Sequence, residues 1–337
     1  MRSTKPRQFA TLVATATLFA AATPLPARAQ DTLPSVAEQT IDVMHKLWGQ
    51  HPGMRANHAK GVVTEGNFVP SDAGARLSRS SLFRAGGGPV PVLARFSDAT
   101  GLPDVADGSA NAKPNGIAVR FQSESGEGMD VVLNTLPFFP VATGEEFLQL
   151  LRAVAASPPD APKPTAVERF GESHPAAPRA AAAVKTPASL AQAVYNGIDA
   201  FVFVDGTGKR QPFRVRLVPV DGAKWLAADE AVRKPPSFLM DEVAARLVRA
   251  SVRFRFLAQL AKPGDQTKDP TQPWPEDREL VDLGTITLTK ASPDGDKIAC
   301  ETVFMPSNLP DGVEVSDDLL IEARVQAYGV SFGQRAQ

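Results

Sequence analysis

Short Val-rich runs broken by Gly, Pro, Asp and Asn constrain this chain more than any other feature. PVPVLARFSD (89–98), GIAVRFQS (116–123), MDVVLNTLPFF (129–139), DAFVFVD (199–205), QPFRVRLVPV (211–220) and LVDLGTITLTK (280–290) share that layout. β-Branched and aromatic residues fit a pleated, half-buried surface, and the interrupting residues supply turns between strands. KIACETVF (297–304) reads as a further strand and would bury Cys300 on it. Many short strands at turn-like spacing predict an antiparallel sheet closed into a barrel, an arrangement without open edges. Arg214 and Arg216 alternate with apolar residues and should point to solvent, whereas Arg95, flanked by Ala94 and Phe96, is the odd case.

Helical periodicity fills the intervals. Val36, Ile41, Met44, Leu47 and Trp48 fall roughly on one face, predicting an amphipathic helix within residues 30–49. It would pack on the body of the protein or on a second copy, in which case the chain forms a homodimer. Glu145 to Ala156 reads as a helix, and Ser237 to Ala261 as one long helix with Phe238, Val243, Leu247, Phe254 and Leu257 inward. The Pro- and Ala-rich stretch 157–189 is read as short helices and loops covering one side of the sheet, with disorder as its alternative. Glu314 to Arg335 predicts a last helix, with Ser316 at the N-cap and Asp317 and Asp318 in the first turn, where the helix dipole favours acids.

The first 29 residues have the layout of a secretory signal peptide: Arg2, Lys5 and Arg7, an apolar run from Phe9 to Ala22, then Ala27-Arg28-Ala29. The predicted organisation is a signal peptide (1–29) and one domain (30–337), with a periplasmic or external destination. The four basic residues Arg2, Lys5, Arg7 and Arg28 leave with the leader and no acid does, which takes the formal net charge from −1 to −5. That balance offers no footprint for nucleic acid. No later stretch is long and apolar enough for a membrane span. With Cys300 as the single cysteine, no intrachain disulfide can form.

Two places carry chemistry. Arg324 and Tyr328 stand four apart on the last helix, so guanidinium and phenol share a face. A cation against a phenolic oxygen favours its anion, which is a ligand for a hard ferric ion; equally, the ring could pack inward while the arginine snorkels. In GMRANHAKGVV (53–63), His58 precedes a strand and is either an acid/base group or a surface turn residue. His45, His51 and His174 lack the partners of a closed metal site, and no phosphate-loop, dinucleotide or nucleophile-elbow pattern occurs.

R-x-x-H-A-K-G at 55–61, A-R-F-S at 94–97, G-I-A-V-R-F at 116–121, N-T-L-P-F-F at 134–139, F-x-P-S-N-L-P at 304–310 and R-x-x-x-Y at 324–328 with Arg335 beyond it stand in one order along most of the mature chain. In that order they resemble the haem catalase family, and within it the shorter catalase-related peroxidases. The resemblance implies an α+β fold, an eight-stranded antiparallel β-barrel core with flanking helices and haem b (iron) held inside. It implies Tyr328 as the iron's proximal ligand, with Arg324 keeping it a phenolate that favours the ferryl state. His58 is similar to the distal acid/base residue and Ser97 to its support. Arg55, Arg95 and Arg335 match positions that hold the haem propionates, where bidentate pairing suits carboxylates.

One run departs from the family's N-N-T-P pattern: Asn134-Thr135-Leu136-Pro137. Counting forward from Asp130 puts Thr135 beside the distal histidine; counting back from Phe138-Phe139 puts Asn134 there. The strand count is preferred, since register resists slipping when one face is buried. The chain also ends soon after Arg335, which suggests a more open pocket. The expected activity is reduction of hydrogen peroxide or organic hydroperoxides by a small organic electron donor, with weak catalase activity at most. A true catalase, a hydroperoxide-rearranging enzyme and a non-catalytic haem-binding barrel are the alternatives.

Overall fold

The computed structural model describes residues 34–86, 88–123 and 126–335. Residues 1–33, including the segment expected to be a signal peptide (1–29), lie outside them. Residues from Pro34 onward cluster as one compact unit. The strands are β1 (Gly61–Pro70), β2 (Val90–Ser97), β3 (Gly116–Gln122), β4 (Gly128–Asn134), β5 (Thr186–Pro187), β6 (Tyr195–Asn196), β7 (Phe201–Val204), β8 (Arg210–Pro219), β9 (Trp225–Leu226), β10 (Val252–Leu260), β11 (Leu280–Ala291) and β12 (Val313–Val315). The helices are α1 (Val36–Trp48), α2 (Gly144–Ala155), α3 (Ala166–Ser173), α4 (Ala176–Ala183), α5 (Ala228–Ala231), α6 (Phe238–Arg249), α7 (Gly295–Glu301) and α8 (Leu319–Arg335).

Antiparallel pairing runs β10-β11-β1-β2-β3-β4-β6-β8, and β8 pairs back onto β10. The expected closed eight-stranded barrel is therefore present. β7 and β12 extend from the far edge of β8, and β5 and β9 form a separate two-stranded piece. Period-two patterning fixes which face is inside. In β10, Val252, Phe254 and Phe256 are buried while Arg253 and Arg255 are exposed. The interior is filled by aromatic rings from opposite strands. Phe68, Phe121 and Phe256 meet with centroids 5.1 to 5.8 Å apart, and Phe96, Tyr195 and Phe254 form a second group at 6.0 to 6.3 Å. Such ring contacts stabilise a core beyond the area they bury.

Four expectations are corrected. The single helix over 237–261 is α6 followed by β10, because strict alternation begins at Val252 and the backbone is already extended at Ala250. The strand expected at 297–304 is α7, and Cys300 sits half-buried on that helix. The last helix starts at Leu319, since Val313–Val315 pairs with β7; Asp318, not Ser316, caps it by accepting from the Leu320 N–H at 2.9 Å. Arg214 is buried rather than solvent-facing, donating to the Gln272 carbonyl at 2.8 Å and stacking over Trp274, because the loop 262–279 covers that side of the barrel. The Pro- and Ala-rich stretch does form the short helices α3 and α4. No helix among the described residues is long and apolar enough to cross a membrane.

Candidate active site

A cavity of about 630 Å³ lies between the outer face of β2–β4 and the helices α1, α2 and α8. The expectation of a cofactor inside the barrel is thus corrected: aromatic rings fill the interior, and the space is on the wall. Alternate residues of the three strands face it in two registered rows, Ser97–Gly116–Asn134 and Arg95–Ala118–Val132.

On the helical wall, Nε and Nη2 of Arg324 donate to the Tyr328 hydroxyl oxygen at 3.2 and 3.0 Å. Two N–H groups converging on one oxygen stabilise negative charge there. Arg324 is itself held by the buried carboxylate of Asp199. Burial works against the Arg324 charge, but Asp199 and the Tyr328 oxygen outweigh it and raise its pKa above the ordinary value. Asp318 lies near, its carboxyl pushed up to about 7 by burial and by the Asp199 charge. Sequence reading missed Asp199, which stands 125 residues from Arg324 with no local signal.

At the far end of α8 three arginines gather. Arg55 donates to the carbonyls of Ala299 and Thr302 at 2.8 and 2.7 Å, and Arg335 to those of Cys300 and Thr302 at 2.9 and 2.6 Å. These are the unpaired C-terminal carbonyls of α7, where the helix dipole favours cations. Arg95 donates to the Ala59 carbonyl at 2.9 Å and its Nε, although buried, has no partner. A Cβ on Gly61 would lie 2.7 Å from the Arg95 guanidinium, so only glycine admits that side chain. Burial first, then the Arg95 and Arg335 charges, pull Arg55 down to about 8, and burial with the Arg335 charge pulls Arg95 down to about 10. None of the three forms an ion pair with a described residue. Three cations, Arg95 and Arg335 buried and Arg55 half-buried, with carbonyls as their hydrogen-bond acceptors and no carboxylate partner, call for an anionic ligand.

His58 comes from the loop between α1 and β1, with a backbone φ of +60°, the one positive φ among described non-glycine residues. Its Nδ1 is 2.9 Å from the Ser97 hydroxyl. The ring lies against Gly116, where a Cβ would approach Cε1 to 3.2 Å and Ser97 Oγ to 3.3 Å. Lys60, bonded to Asp107 and to the Val105 and Pro236 carbonyls, ties down the same loop. Burial, followed by the charges of Arg95, Arg55 and Arg324, lowers the imidazole to about 3, so it is neutral at pH 7.

Asn134 lines the cavity and Thr135 does not, which corrects the preferred strand count. Asn134 pairs with Gly116 at the end of β4, and its Oδ1 accepts from the Leu136 N–H at 2.7 Å, turning the chain away. Thr135 follows that turn, with its N–H on the Asn115 carbonyl and its hydroxyl buried without a partner. Because Oδ1 is engaged, the amide N–H2 of Asn134 remains for a cavity ligand. The other histidines are not part of the lining.

A flat metal chelate with two carboxylate arms fits these walls: arginines at one end for the arms, the phenolic oxygen of Tyr328 for the metal, and apolar side chains between. Fold and pocket together define a barrel protein with a cavity on its wall built for a flat, anionic ligand. A family model described as "Catalase" matches residues 38–336, and the chain belongs to the catalase family. It is 34% identical over 305 residues to a "Catalase-related peroxidase" of Synechococcus elongatus, covering 89% of this chain and 88% of that protein. It is 35% identical over 298 residues to another of that name from Mycolicibacterium paratuberculosis, covering 87% and 93%. A fungal catalase crystal structure superposes with a TM-score of 0.74 at 20% identity, over 93% of this chain and 66% of that one.

Proposed function

We propose that this protein is a haem peroxidase that reduces hydrogen peroxide or organic hydroperoxides with electrons from a small organic donor. The balance is ROOH plus two electrons and two protons, giving ROH and water. Haem, when bound, supplies the redox-active iron that accepts the two oxidising equivalents. Arg55, Arg95 and Arg335 would hold its carboxylates, and Tyr328, whose oxygen accepts two N–H groups of Arg324, would ligate the metal. The relatives named as catalase-related peroxidases support this reading, and one observation carries it: a neutral, half-buried His58 on the cavity wall. With Nδ1–H donating to Ser97, Nε2 is free to take a proton from the nearer peroxide oxygen and return it to the farther one as the O–O bond breaks. The amide N–H2 of Asn134 can donate to the same peroxide.

His58→Ala should lower peroxide turnover by about 10²- to 10⁴-fold while the Soret absorbance of bound haem stays. Unchanged turnover would leave a haem carrier instead. The presence of Asn134 on the cavity wall favours a second reading, true catalase activity, because it restores the amide that the threonine count had removed. Oxygen evolution from hydrogen peroxide without donor separates the two. We further propose export to the periplasm, supported by the charged, apolar and Ala-x-Ala regions of residues 1–29; N-terminal sequencing of the exported protein should begin at Gln30.

A further inference from the structure

Behind His58 lie three polar side chains that the proton transfer does not use, and Asp98, Asp107 and Asn115 are each 0% exposed. They sit where the two segments that hold the imidazole meet. Ser97, at the end of β2, bonds the ring, and Asp98 follows it, its N–H donating to the Lys60 carbonyl at 3.2 Å. Lys60 ends the loop that carries His58. Its ammonium is taken by Asp107 at 2.5 Å and by the Val105 and Pro236 carbonyls at 2.8 and 2.9 Å. Asp107 also accepts from the Leu239 N–H of α6 at 2.7 Å. Asp98 receives one bond, from Asn115 Nδ2 to Oδ1 at 2.8 Å, and its Oδ2 has no donor. The carboxyl groups of Asp98 and Asp107 stand within hydrogen-bonding reach of each other.

The charged and titratable groups around Asp98 are Lys60 and His58 of the loop, Arg95 of β2, Lys113 ahead of β3 and Tyr195 of β6. Lys113 gives its ammonium to the Gly108 and Ser109 carbonyls, and Arg95 bonds the Ala59 carbonyl. A buried carboxylate bonded to no cation is costly, and a second carboxylate beside it adds repulsion. A proton on Oδ2 relieves both and gives that oxygen a partner. Burial first, then the Asp107 charge and hydrogen bond, push Asp98 up to about 8.

We propose that Asp98 is a positioning residue for His58: as a neutral acid it donates from Oδ2 to the Asp107 carboxylate and clamps Ser97 to the loop that carries the imidazole. Loss of that proton to solvent sets two carboxylates face to face and opens the clamp. The inference rests on the peroxidase reading, in which His58 moves the proton.

Turnover by the haem-loaded full chain should show a one-proton alkaline limb near about pH 8, and Asp98→Asn, whose amide always donates, should lack it. Asp98→Ala, with no donor, should turn over about 10- to 100-fold more slowly at neutral pH, and asparagine should restore the rate. Two readouts need no peroxide. In infrared spectra of the haem-free full chain, the carbonyl stretch of a protonated carboxyl should fade over the same pH range and be missing from Asp98→Asn. Nitrogen NMR of the histidine-labelled chain, with His58→Ala to assign the signal, should show the His58 ring leaving its Ser97-bonded form as that band fades, and keeping it in Asp98→Asn. An alkaline limb that survives in Asp98→Asn, an infrared band that this substitution leaves in place, wild-type turnover in Asp98→Ala, or a His58 signal indifferent to the titration overturns the proposal. If band and ring signal titrate together but no peroxide is consumed, the clamp stands and the peroxidase reading falls.

Discussion

Replacing Arg55 by methionine should stabilise the haem-free protein and weaken its hold on haem. Arg55 is lowered from its ordinary 12.5 to about 8, which at 1.36 kcal/mol per pH unit disfavours its charge by about 6 kcal/mol. Water in the cavity and counter-ions screen part of this, and about half surviving leaves roughly 3 kcal/mol. Against it stand two hydrogen bonds, to Ala299 and Thr302, of about 1 kcal/mol each. The net is a gain of about 1 kcal/mol, or a Tm higher by about 1 to 2 °C for a chain of this size. The folded pKa lies below the unfolded one, so the penalty is complete below about pH 8 and lifts as pH rises beyond it. The gain from substitution should therefore shrink above pH 8. Haem should bind about 10- to 150-fold more weakly, the equivalent of roughly 1.5 to 3 kcal/mol for lost charge-assisted bonds. Calorimetric melting of the haem-free protein and the rate of haem transfer to an acceptor globin measure the two effects. A variant that melts several degrees lower yet releases haem at the wild-type rate would show that Arg55 is structural, and the argument from unpaired cations would fail.

Gly116→Ala should cost about 10- to 100-fold in peroxide turnover with little change in Tm, because its Cβ would crowd His58 Cε1 at 3.2 Å; steady-state kinetics at wild-type activity would contradict this. Asp199→Ala should lower stability by about 3 kcal/mol, since it strands the buried Arg324 cation, and Asp199→Asn should cost less by keeping an acceptor. Urea titrations of both variants test that order. With His58 lowered to about 3, its proton-accepting form persists well below pH 6.5, so the acid limb of turnover should lie below about pH 5. A limb near 6.5 would mean that the imidazole is solvated.

The barrel was legible because its signal is local: alternation within a strand names the buried face without reference to any other strand. Even so, VRFRFLAQL (252–260) was hidden behind the helix that precedes it, although Arg253 and Arg255 already marked a period of two. The residues that could donate, ligate or move protons were legible by type and motif. Their partners were not. The carbonyls that seat Arg55 belong to α7, 244 residues away for Ala299, and that segment carries no strong helical pattern of its own. Asn134 and Thr135 were confused for a related reason. Counting along a strand says which face a residue takes only while the strand lasts, and the turn accepted by the Asn134 side chain ends it.

Placing the cavity on the outer wall makes one set of strands serve two purposes through adjacent residues. Ala94, Val119 and Val131 point into the barrel and are almost wholly buried, while their neighbours Arg95, Ala118 and Val132 line the cavity. A slip of one residue in any of these strands would exchange the sets and abolish both core and site. Selection for a close-packed interior therefore also holds the His58 environment in register. The remaining walls come from α1, α2 and α8, whose apolar side chains also pack on one another. The proposed proton-moving group is thereby tied to the rigid barrel wall and the proposed metal ligand to α8, so substitutions on the two sides of the cavity can separate proton transfer from ligand binding.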